Sequence, residues 1–165
     1  MLVRQWDLLD LLVTANKTKS FSDLIDFNFC GGFPLPHNPC IVVKRLVPDK
    51  CRILDSARAP LWLCFENADP HSKDHVSVIF KGTDDLRQDM LALQVLKLMV
   101  TQWEMEHLDL RLTLYRTVAL GPGMGMVEVV PDCVTIADIQ KSMAKNNLTA
   151  AFKEDSIADW LGRKN

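Results

Sequence analysis

The chain has 165 residues, of which 48% are hydrophobic and 24% are charged, and it carries 19 Lys and Arg against 21 Asp and Glu. This length and composition are typical of one globular domain and exclude a mainly disordered, collagen-like or low-complexity chain. The formal net charge of -2 disfavours a nucleic-acid partner, because proteins that neutralise phosphate backbones usually have a clear basic excess.

The cysteines and the N-terminal stretch indicate the compartment. Five cysteines without a C-x-x-C pair leave one thiol over from any disulfide scheme, and we interpret them as reduced. Arg4, Asp7 and Asp10 interrupt the first apolar stretch, which is atypical of a signal peptide or of a membrane span. The sequence therefore predicts a cytoplasmic protein.

The first 34 residues read as a segment that precedes the main body. Apolar residues recur with helical spacing from Leu2 to Val13, which predicts a short helix over 2–13. Gly31 to Pro39 contains two Gly and three Pro, a composition that favours a linker over a helix or a central strand. We therefore expect residues 1–34 to be a helical segment followed by a linker.

The middle of the chain predicts one sheet. Five short apolar runs, separated mostly by turn-forming residues, are expected to form a five-stranded, mainly antiparallel sheet. The predicted strands are Ile41–Val43, Leu61–Leu63, Val76–Phe80, Leu110–Val118 and Met126–Val130. Since Gly121 to Gly125 precedes a strand and not a helix, we interpret it as a hairpin turn and not as a phosphate-binding loop.

One long helix is predicted from Asp85 to about Glu106, with Asp85 and Gln88 in capping-box spacing. Its apolar residues cover nearly the whole circumference, which is typical of a helix that is buried on more than one side. A five-stranded sheet covers only one side, so we expect a second body, absent from this sequence, to cover the other. Short helices are predicted at 136–143 and 156–161, giving an α+β fold overall.

Residues 78–90 combine an apolar strand that ends in Lys81, a tight turn and an acidic first helical turn. Kinases hold nucleotide phosphates with a lysine on a strand that faces a helix carrying acids. On spacing alone, a solvated lysine and capping carboxylates are the commoner explanation. His71 and His75 also have a possible metal-ligand spacing, but Pro70 favours a loop and no further ligands complete a site, so no metal site is predicted.

The motifs in order resemble one family. The run I-F-K-G-T-D-D-L-R-Q-D-M-L-A-L-Q at 79–94 is similar to the nucleotide-binding lobe of phosphoinositide 3-kinases. P-L-W-L at 60–63, L-D-L-R at 108–111, M-V-E-V-V at 126–130 and T-I-A-D-I-Q at 135–140 lie in the order that this family has. N-P-C-I-V-V at 38–43, followed by D-K-C-R-I-L-D-S, is most similar to the class I catalytic subunits, with the beta isoform nearest. The resemblance covers residues 35–162.

The resemblance implies a kinase N-terminal lobe over 35–130, with residues 131–165 forming helices that lead towards a C-terminal lobe outside this sequence. It gives Lys81 the catalytic role of contacting the ATP phosphates. The other residues that it implies for ATP are Ser56 and Arg58 in a phosphate loop, Trp62 and Ile79 as walls, Asp89 and Tyr115 in an inner pocket, and Val127, Glu128 and Val130 at the hinge. Core packing is the alternative role for Trp62, Ile79 and Tyr115.

Two local departures from the family stand in the sequence. Arg58 occupies a position that is usually lysine, and a planar guanidinium replaces a point charge there. The family usually reads P-Y-G-C around its pocket tyrosine, whereas this chain reads L-Y-R-T at 114–117. We therefore expect a different local turn beside Tyr115.

The family's D-R-H-x-x-N and D-F-G motifs, which supply the catalytic and magnesium-binding residues, do not occur in this sequence. The resemblance thus implies ATP as substrate, with Mg²⁺ held by residues of the complete enzyme, and a chain that is inactive alone. It implies a phosphoinositide lipid substrate, a regulatory subunit and small GTPases as partners, and peripheral recruitment from the cytoplasm to the plasma membrane. The alternative is a truncated, non-catalytic module that binds nucleotide or a partner.

Overall fold

The computed structural model describes residues 2–29, 31–72, 74–144 and 156–164. The chain divides into two compact units that meet in sequence between Val129 and Val130. The fold is α+β, as predicted, and within the described ranges no helix is both long and apolar enough to cross a membrane.

Over its described residues, the first unit contains three helices and a seven-stranded sheet. The helices are α1 (Leu2–Thr18), α2 (Ser22–Ile25) and α3 (Arg87–Met105). The strands are β1 (Phe33–Leu35), β2 (Asn38–Leu46), β3 (Arg52–Ile53), β4 (Leu61–Asn67), β5 (His75–Lys81), β6 (Thr117–Gly121) and β7 (Met124–Glu128), and a 3-10 turn spans Pro48–Lys50. The strand order is β1-β2-β4-β5-β7-β6, with β3 paired to β4 outside this path, and every pairing is antiparallel.

The hydrophobic core lies between one face of this sheet and α1. Alternate residues of β4 and β5 are buried because successive side chains in a strand point to opposite faces. The sheet contributes Leu61, Leu63, Phe65, Val78, Phe80 and Met126, and α1 contributes Leu8, Leu12 and Ala15. The helix that the sequence places ahead of the main body is therefore part of its core.

The linker predicted at Gly31 to Pro39 is wrong. Phe33–Leu35 forms the edge strand β1, which pairs with β2, and Phe33 and Leu35 are buried. Proline is tolerated at this place because β1 lies at the edge of the sheet, where a missing N–H leaves no ladder bond unmade. The predicted helix over 2–13 also extends further, to Thr18.

The strand predicted from Leu110 to Val118 is likewise wrong over most of its length, because β6 begins only at Thr117. The residues before it have no regular structure, and Arg111 has a left-handed φ of 50°. The hairpin predicted at the glycine-rich segment is confirmed, since the turn between β6 and β7 contains Gly123 with φ 67°. That positive φ suits glycine because it lacks a Cβ.

The long helix is confirmed, but its predicted capping box is not formed. The residue before α3 is Leu86, and Asp85 instead accepts hydrogen bonds from the backbone N–H of Arg87 at 3.1 Å and from its Nε at 2.9 Å. These bonds lower the pKa of Asp85 to about 2. None of the residues of α3 is buried, so the first unit covers this helix less than its composition predicts.

The second unit contains α4 (Ile136–Ala144) and α5 (Ser156–Lys164), which contact each other. Thr135 caps the start of α4 with its side chain, which is the role that the sequence predicts for Asp85 at the start of α3. Its hydroxyl accepts the backbone N–H of Asp138 at 3.1 Å and donates to that residue's carboxylate at 2.6 Å. Both helices lie where the sequence predicts them.

Candidate functional site

A row of side chains crosses the sheet on the face opposite the core. Ile79 of β5 pairs with Trp62 of β4 on one side and with Val127 of β7 on the other. Directly paired residues of antiparallel strands share a face, and the neighbours of Ile79 along β5, Val78 and Phe80, point into the core. Trp62, Ile79 and Val127, all half-buried, therefore form one apolar row on the free face.

The indole of Trp62 has a cationic neighbour in this row. Arg52 of β3 pairs with Trp62, and its guanidinium carbon lies 4.1 Å from the centre of the Trp62 ring. A cation at this distance over an aromatic face is attracted by the ring quadrupole. The guanidinium of Arg52 therefore packs against the indole of Trp62, and the Trp62 end of the apolar row is next to a positive charge.

Lys81 ends β5 on the same face as Ile79, because the two residues are two positions apart. Its side chain is 32% exposed, and its Nζ lies 3.5 Å from the Oδ2 of Asp84. On the neighbouring strand it pairs with Gly125, where an added Cβ would lie 2.5 Å from Leu86 Cδ1. The absence of a side chain at Gly125 thus lets the residue before α3 pack closely beside Lys81.

Asp84 joins two basic side chains that are far apart in the sequence. Its Oδ1 lies 2.9 Å from the Nε of Arg58, and its Oδ2 faces Lys81. Arg58 also donates through Nη1 to the backbone carbonyl of Thr83. The loop that carries Arg58 is therefore held against the turn that follows Lys81.

That loop runs from Leu54 to Pro60 between β3 and β4. Its ends are joined by a hydrogen bond from the Leu54 N–H to the Pro60 carbonyl at 2.9 Å, and within it the Ala59 N–H donates to the Ser56 carbonyl at 2.9 Å. Ser56 and Arg58 are exposed on this loop. The structure thus brings Arg58 and Lys81 together through Asp84 beside the apolar row, and Ser56 lies on the same loop as Arg58. A role of these three residues in ATP binding stays a prediction.

Asp89 and Tyr115, the two residues predicted to line an inner pocket, are not in contact through a hydrogen bond in the part of the chain that the structure describes. Asp89 is exposed in the first turn of α3, and the hydrogen bonds within the described ranges include none between Asp89 and Tyr115. Tyr115 is 36% exposed and lines a cavity of about 390 Å³ together with Met90 and Leu93. The structure does not join Asp89 and Tyr115 into one pocket.

At the predicted hinge, Glu128 ends β7 and is fixed by Arg116. The Glu128 N–H donates to the Arg116 carbonyl at 2.8 Å, and its carboxylate accepts the Arg116 N–H at 2.8 Å. Val129 continues the strand direction with an N–H that donates to the Ser77 carbonyl at 3.3 Å. Val130 is the first residue of the second unit.

Sequence reasoning missed His37, which is 8% exposed between β1 and β2 and lines the same cavity as Tyr115. Neither of its ring nitrogens has a hydrogen-bond partner. Burial lowers the pKa of His37, an effect that Glu128 opposes and Arg116 reinforces. No local signal marks this residue, because its burial depends on strands that are distant in the sequence.

Asn16 and Lys19, at the end of α1, were also missed. The Asn16 Nδ2 and the Lys19 Nζ both donate to the carbonyl of Ala59, at 3.2 and 2.9 Å. A helical stripe pattern identifies the apolar side of α1 but gives no partner for its polar residues. The contact between α1 and the loop is therefore visible only in the folded chain.

No group of three or more His, Cys, Asp and Glu that could hold a metal ion occurs among the residues with described positions. His71 and His75 are both exposed, and His75 Nδ1 lies 3.3 Å from the Lys50 Nζ. The carboxylate of Asp84 is already shared by two cations. These residues do not offer the set of oxygen ligands that Mg²⁺ prefers.

An antiparallel sheet with the long helix α3, carrying a lysine at the end of a central strand, is consistent with a kinase-like N-terminal lobe. Residues 75–161, slightly more than half of the chain, match the family described as "Phosphatidylinositol 3- and 4-kinase". The chain therefore belongs to the phosphatidylinositol 3- and 4-kinase family.

Several curated proteins are similar over most of this chain. Phosphatidylinositol 3-kinase 2 of Dictyostelium discoideum is 46% identical over 138 residues, which are 84% of this chain and 7% of that protein. Phosphatidylinositol 3-kinase 3 of the same organism is 44% identical over 131 residues, 79% of this chain and 8% of that protein. The human phosphatidylinositol 4-phosphate 3-kinase C2 domain-containing subunit beta is 41% identical over 139 residues, 84% of this chain and 8% of that protein. The chain thus spans less than a tenth of these relatives.

Proposed function

We propose that this chain is the ATP-binding N-terminal lobe of a phosphatidylinositol 3-kinase, which transfers the γ-phosphate of ATP to the 3-hydroxyl of inositol lipids. The observation that carries the proposal is the position of Lys81 and Arg58 along one side of the apolar row formed by Trp62, Ile79 and Val127. An apolar surface with cations along one side suits a nucleotide, which has a planar base and anionic phosphates.

The dimensions of the sheet support this pose. Neighbouring strands lie about 4.8 Å apart, so a row across three strands is about 10 Å long, enough to cover the face of a purine. Lys81 lies two residues beyond Ile79, a displacement of about 7 Å along the strand, which leaves room for a ribose between base and phosphates. In this pose Trp62 and Ile79 contact the base, and Lys81 stabilises charge on the phosphates.

Charge stabilisation is the chemistry that Lys81 would contribute. Phosphoryl transfer spreads negative charge over the transferred group and the leaving oxygen, and a positioned cation lowers the free energy of that state. Ser56 and Arg58 would bind the outer phosphates from the loop. The backbone at Glu128, at the end of β7, would read the edge of the base.

The whole protein's partners belong to the same proposal. We infer a phosphoinositide lipid substrate, a regulatory subunit, small GTPases and peripheral recruitment to the plasma membrane for the complete kinase, with Mg²⁺ held by residues outside the described part of this chain. The names of the relatives support phosphoinositide specificity. Assignment to class I, with the beta isoform nearest, stays a prediction, and the C2 domain-containing relatives are the natural comparison for it.

Calorimetric titration of the 165-residue chain with ATP and with adenosine tests the nucleotide site. Lys81→Met should weaken ATP at least tenfold and leave adenosine within about twofold, because a charge-assisted contact contributes about 1.5 to 3 kcal/mol. Lys44→Met is the matched control, since Lys44 is an exposed strand lysine on β2 that faces Glu66. Equal ATP affinity in the Lys81 and Lys44 variants would contradict the proposal.

A further inference from the structure

We propose that Asn16, in the last turn of α1, is a positioning residue for the phosphate loop and for the turn after Lys81. The inference rests on the proposed ATP site and adds to it a helix that lies outside the stretch matched by the family. Asn16 contacts the backbone of both segments, so it would act through that backbone.

The first contact is with the loop. Asn16 is 6% exposed, and its Nδ2 donates to the carbonyl of Ala59, one residue after Arg58. A buried amide is costly to leave unpaired, so this bond strongly favours one position of the Ala59 carbonyl. The position of that carbonyl in turn limits where Arg58 can place its guanidinium.

The second contact is with the turn. A Cβ added at Gly82 would lie 2.6 Å from Asn16 Oδ1 and 3.0 Å from its Cγ. Asn16 therefore packs directly on the backbone that follows Lys81, and it does so only because residue 82 is glycine. One buried side chain thus contacts both segments that carry the basic groups of the site.

Two unusual backbone conformations meet at the same point. Ala59 has φ 41° and Lys19 has φ 57°, both in the left-handed region that side chains with a Cβ disfavour. The Lys19 Nζ donates to the Ala59 carbonyl at 2.9 Å, so the two strained residues are linked through one hydrogen bond. Strained backbone persists only where its surroundings hold it and is concentrated at functional sites, which supports a positioning role.

The first test measures the loop itself by amide hydrogen exchange in the complete 165-residue chain. Asn16→Ala should speed exchange of the Ala59 amide at least about fivefold relative to amides in the middle of β5, because the loop loses its buried anchor. Leu12→Val is the matched control, since Leu12 is buried one turn earlier in α1 and packs in the core. It should change both sets of amides equally. An unchanged ratio in Asn16→Ala would overturn the proposal.

The second test measures the consequence for the ligand by titration with ATP and with adenosine. Loss of one hydrogen bond that holds the loop should lower the ratio of ATP to adenosine affinity about three- to tenfold in Asn16→Ala, and not in Leu12→Val. Gly82→Ala should lower the same ratio by displacing the Asn16 side chain. A faster-exchanging loop with an unchanged ratio would show a purely structural contact and would overturn the positioning role.

The two tests separate this inference from the proposed function. If Asn16→Ala speeds exchange in the loop but the parent chain binds no ATP, the proposed function fails. The contact between α1 and the loop then stands as a structural contact alone, and the positioning role is overturned together with the proposed function. If ATP binds and depends on Lys81, but neither the exchange nor the ratio responds to Asn16→Ala, the inference alone fails.

Discussion

Asp84→Asn should strengthen ATP binding, although the substitution removes the carboxylate that holds Arg58 and Lys81 together. Asp84 lies 2.9 Å from Arg58 Nε and 3.5 Å from Lys81 Nζ, and its side chain is 27% exposed. A carboxylate in this place competes with phosphate oxygens for both cations, and it repels the phosphates that those cations would bind.

The size of the effect follows from Coulomb's law. A carboxylate about 6 Å from a phosphate oxygen repels it by about 0.7 kcal/mol at the dielectric constant of water and by about 2.8 kcal/mol at an effective dielectric constant of about 20. Since the site is partly exposed and salt screens it, we expect about 1 kcal/mol, or about a fivefold gain in ATP affinity at low salt. Adenosine, which has no phosphate, should bind unchanged.

Asp85→Asn is the control for this substitution. It removes the same charge at the next residue, but Asp85 pairs with Arg87 and not with Arg58 or Lys81. The assay is calorimetric titration with ATP and adenosine at about 0.05 and 0.5 M salt, where the Asp84 effect should shrink at the higher concentration. Weaker ATP binding in Asp84→Asn, or an equal gain in Asp85→Asn, would refute competition and indicate that Asp84 orients the two cations.

Three further predictions concern other parts of the first unit. Arg58→Ala should weaken ATP about tenfold or more and adenosine little in the same titration, because a charge-assisted contact to phosphate is lost; equal small changes for both ligands would remove Arg58 from the site. Burial holds the pKa of His37 below its ordinary value of 6.5, so on acidification the unfolded chain binds a proton before the folded chain does. The free energy of unfolding in urea should therefore fall as the pH drops below about 6.5. His37→Phe should reduce this pH dependence, and an unchanged pH profile in that variant would contradict a lowered pKa for His37. Leu91 and Leu98 of α3 are 62% and 68% exposed, and exposed apolar patches favour association. Replacing both with lysine should reduce self-association of the chain in analytical ultracentrifugation. A parent chain that is already monomeric at high concentration would contradict association through this face of α3.

The parts of the fold that the sequence predicts correctly have strong local patterns. The alternation of β4 and β5, the long helix and the glycine turn between β6 and β7 are all local features, and each is present. The edge strand β1 was missed because Pro34 and the prolines that follow it argue against a strand, while the pairing of β1 with β2 outweighs this local preference. For residues 110–116 the sequence predicts a strand that the structure lacks, because the apolar residues there do not pair with another strand among the described residues.

In the candidate site, too, the residues predicted correctly belong to local sequence patterns, and the contacts that were missed join distant segments. Ile79 and Lys81 follow from one contiguous motif and from the two-residue period of a strand, so the sequence places these two on one face. The position of Trp62 beside Ile79 depends on the pairing of β4 with β5. The bridge from Asp84 to Arg58 and the contact of Asn16 with Ala59 join residues 26 and 43 positions apart. Such contacts depend on how the loop and α1 pack in three dimensions, and no local pattern contains them.

The measurement that tests the central claim most directly is a nuclear magnetic resonance titration of the 165-residue chain with ATP, observed at the Trp62 indole and at the methyl groups of Ile79 and Val127. If the free face of the sheet binds the base, these signals should shift together and saturate with one dissociation constant, and Lys81→Met should raise that constant for ATP but not for adenosine. Shifts confined to the opposite side of the sheet, at Trp6 and the residues of α1, or no saturable shift at Trp62, Ile79 and Val127, would contradict a nucleotide site on this face.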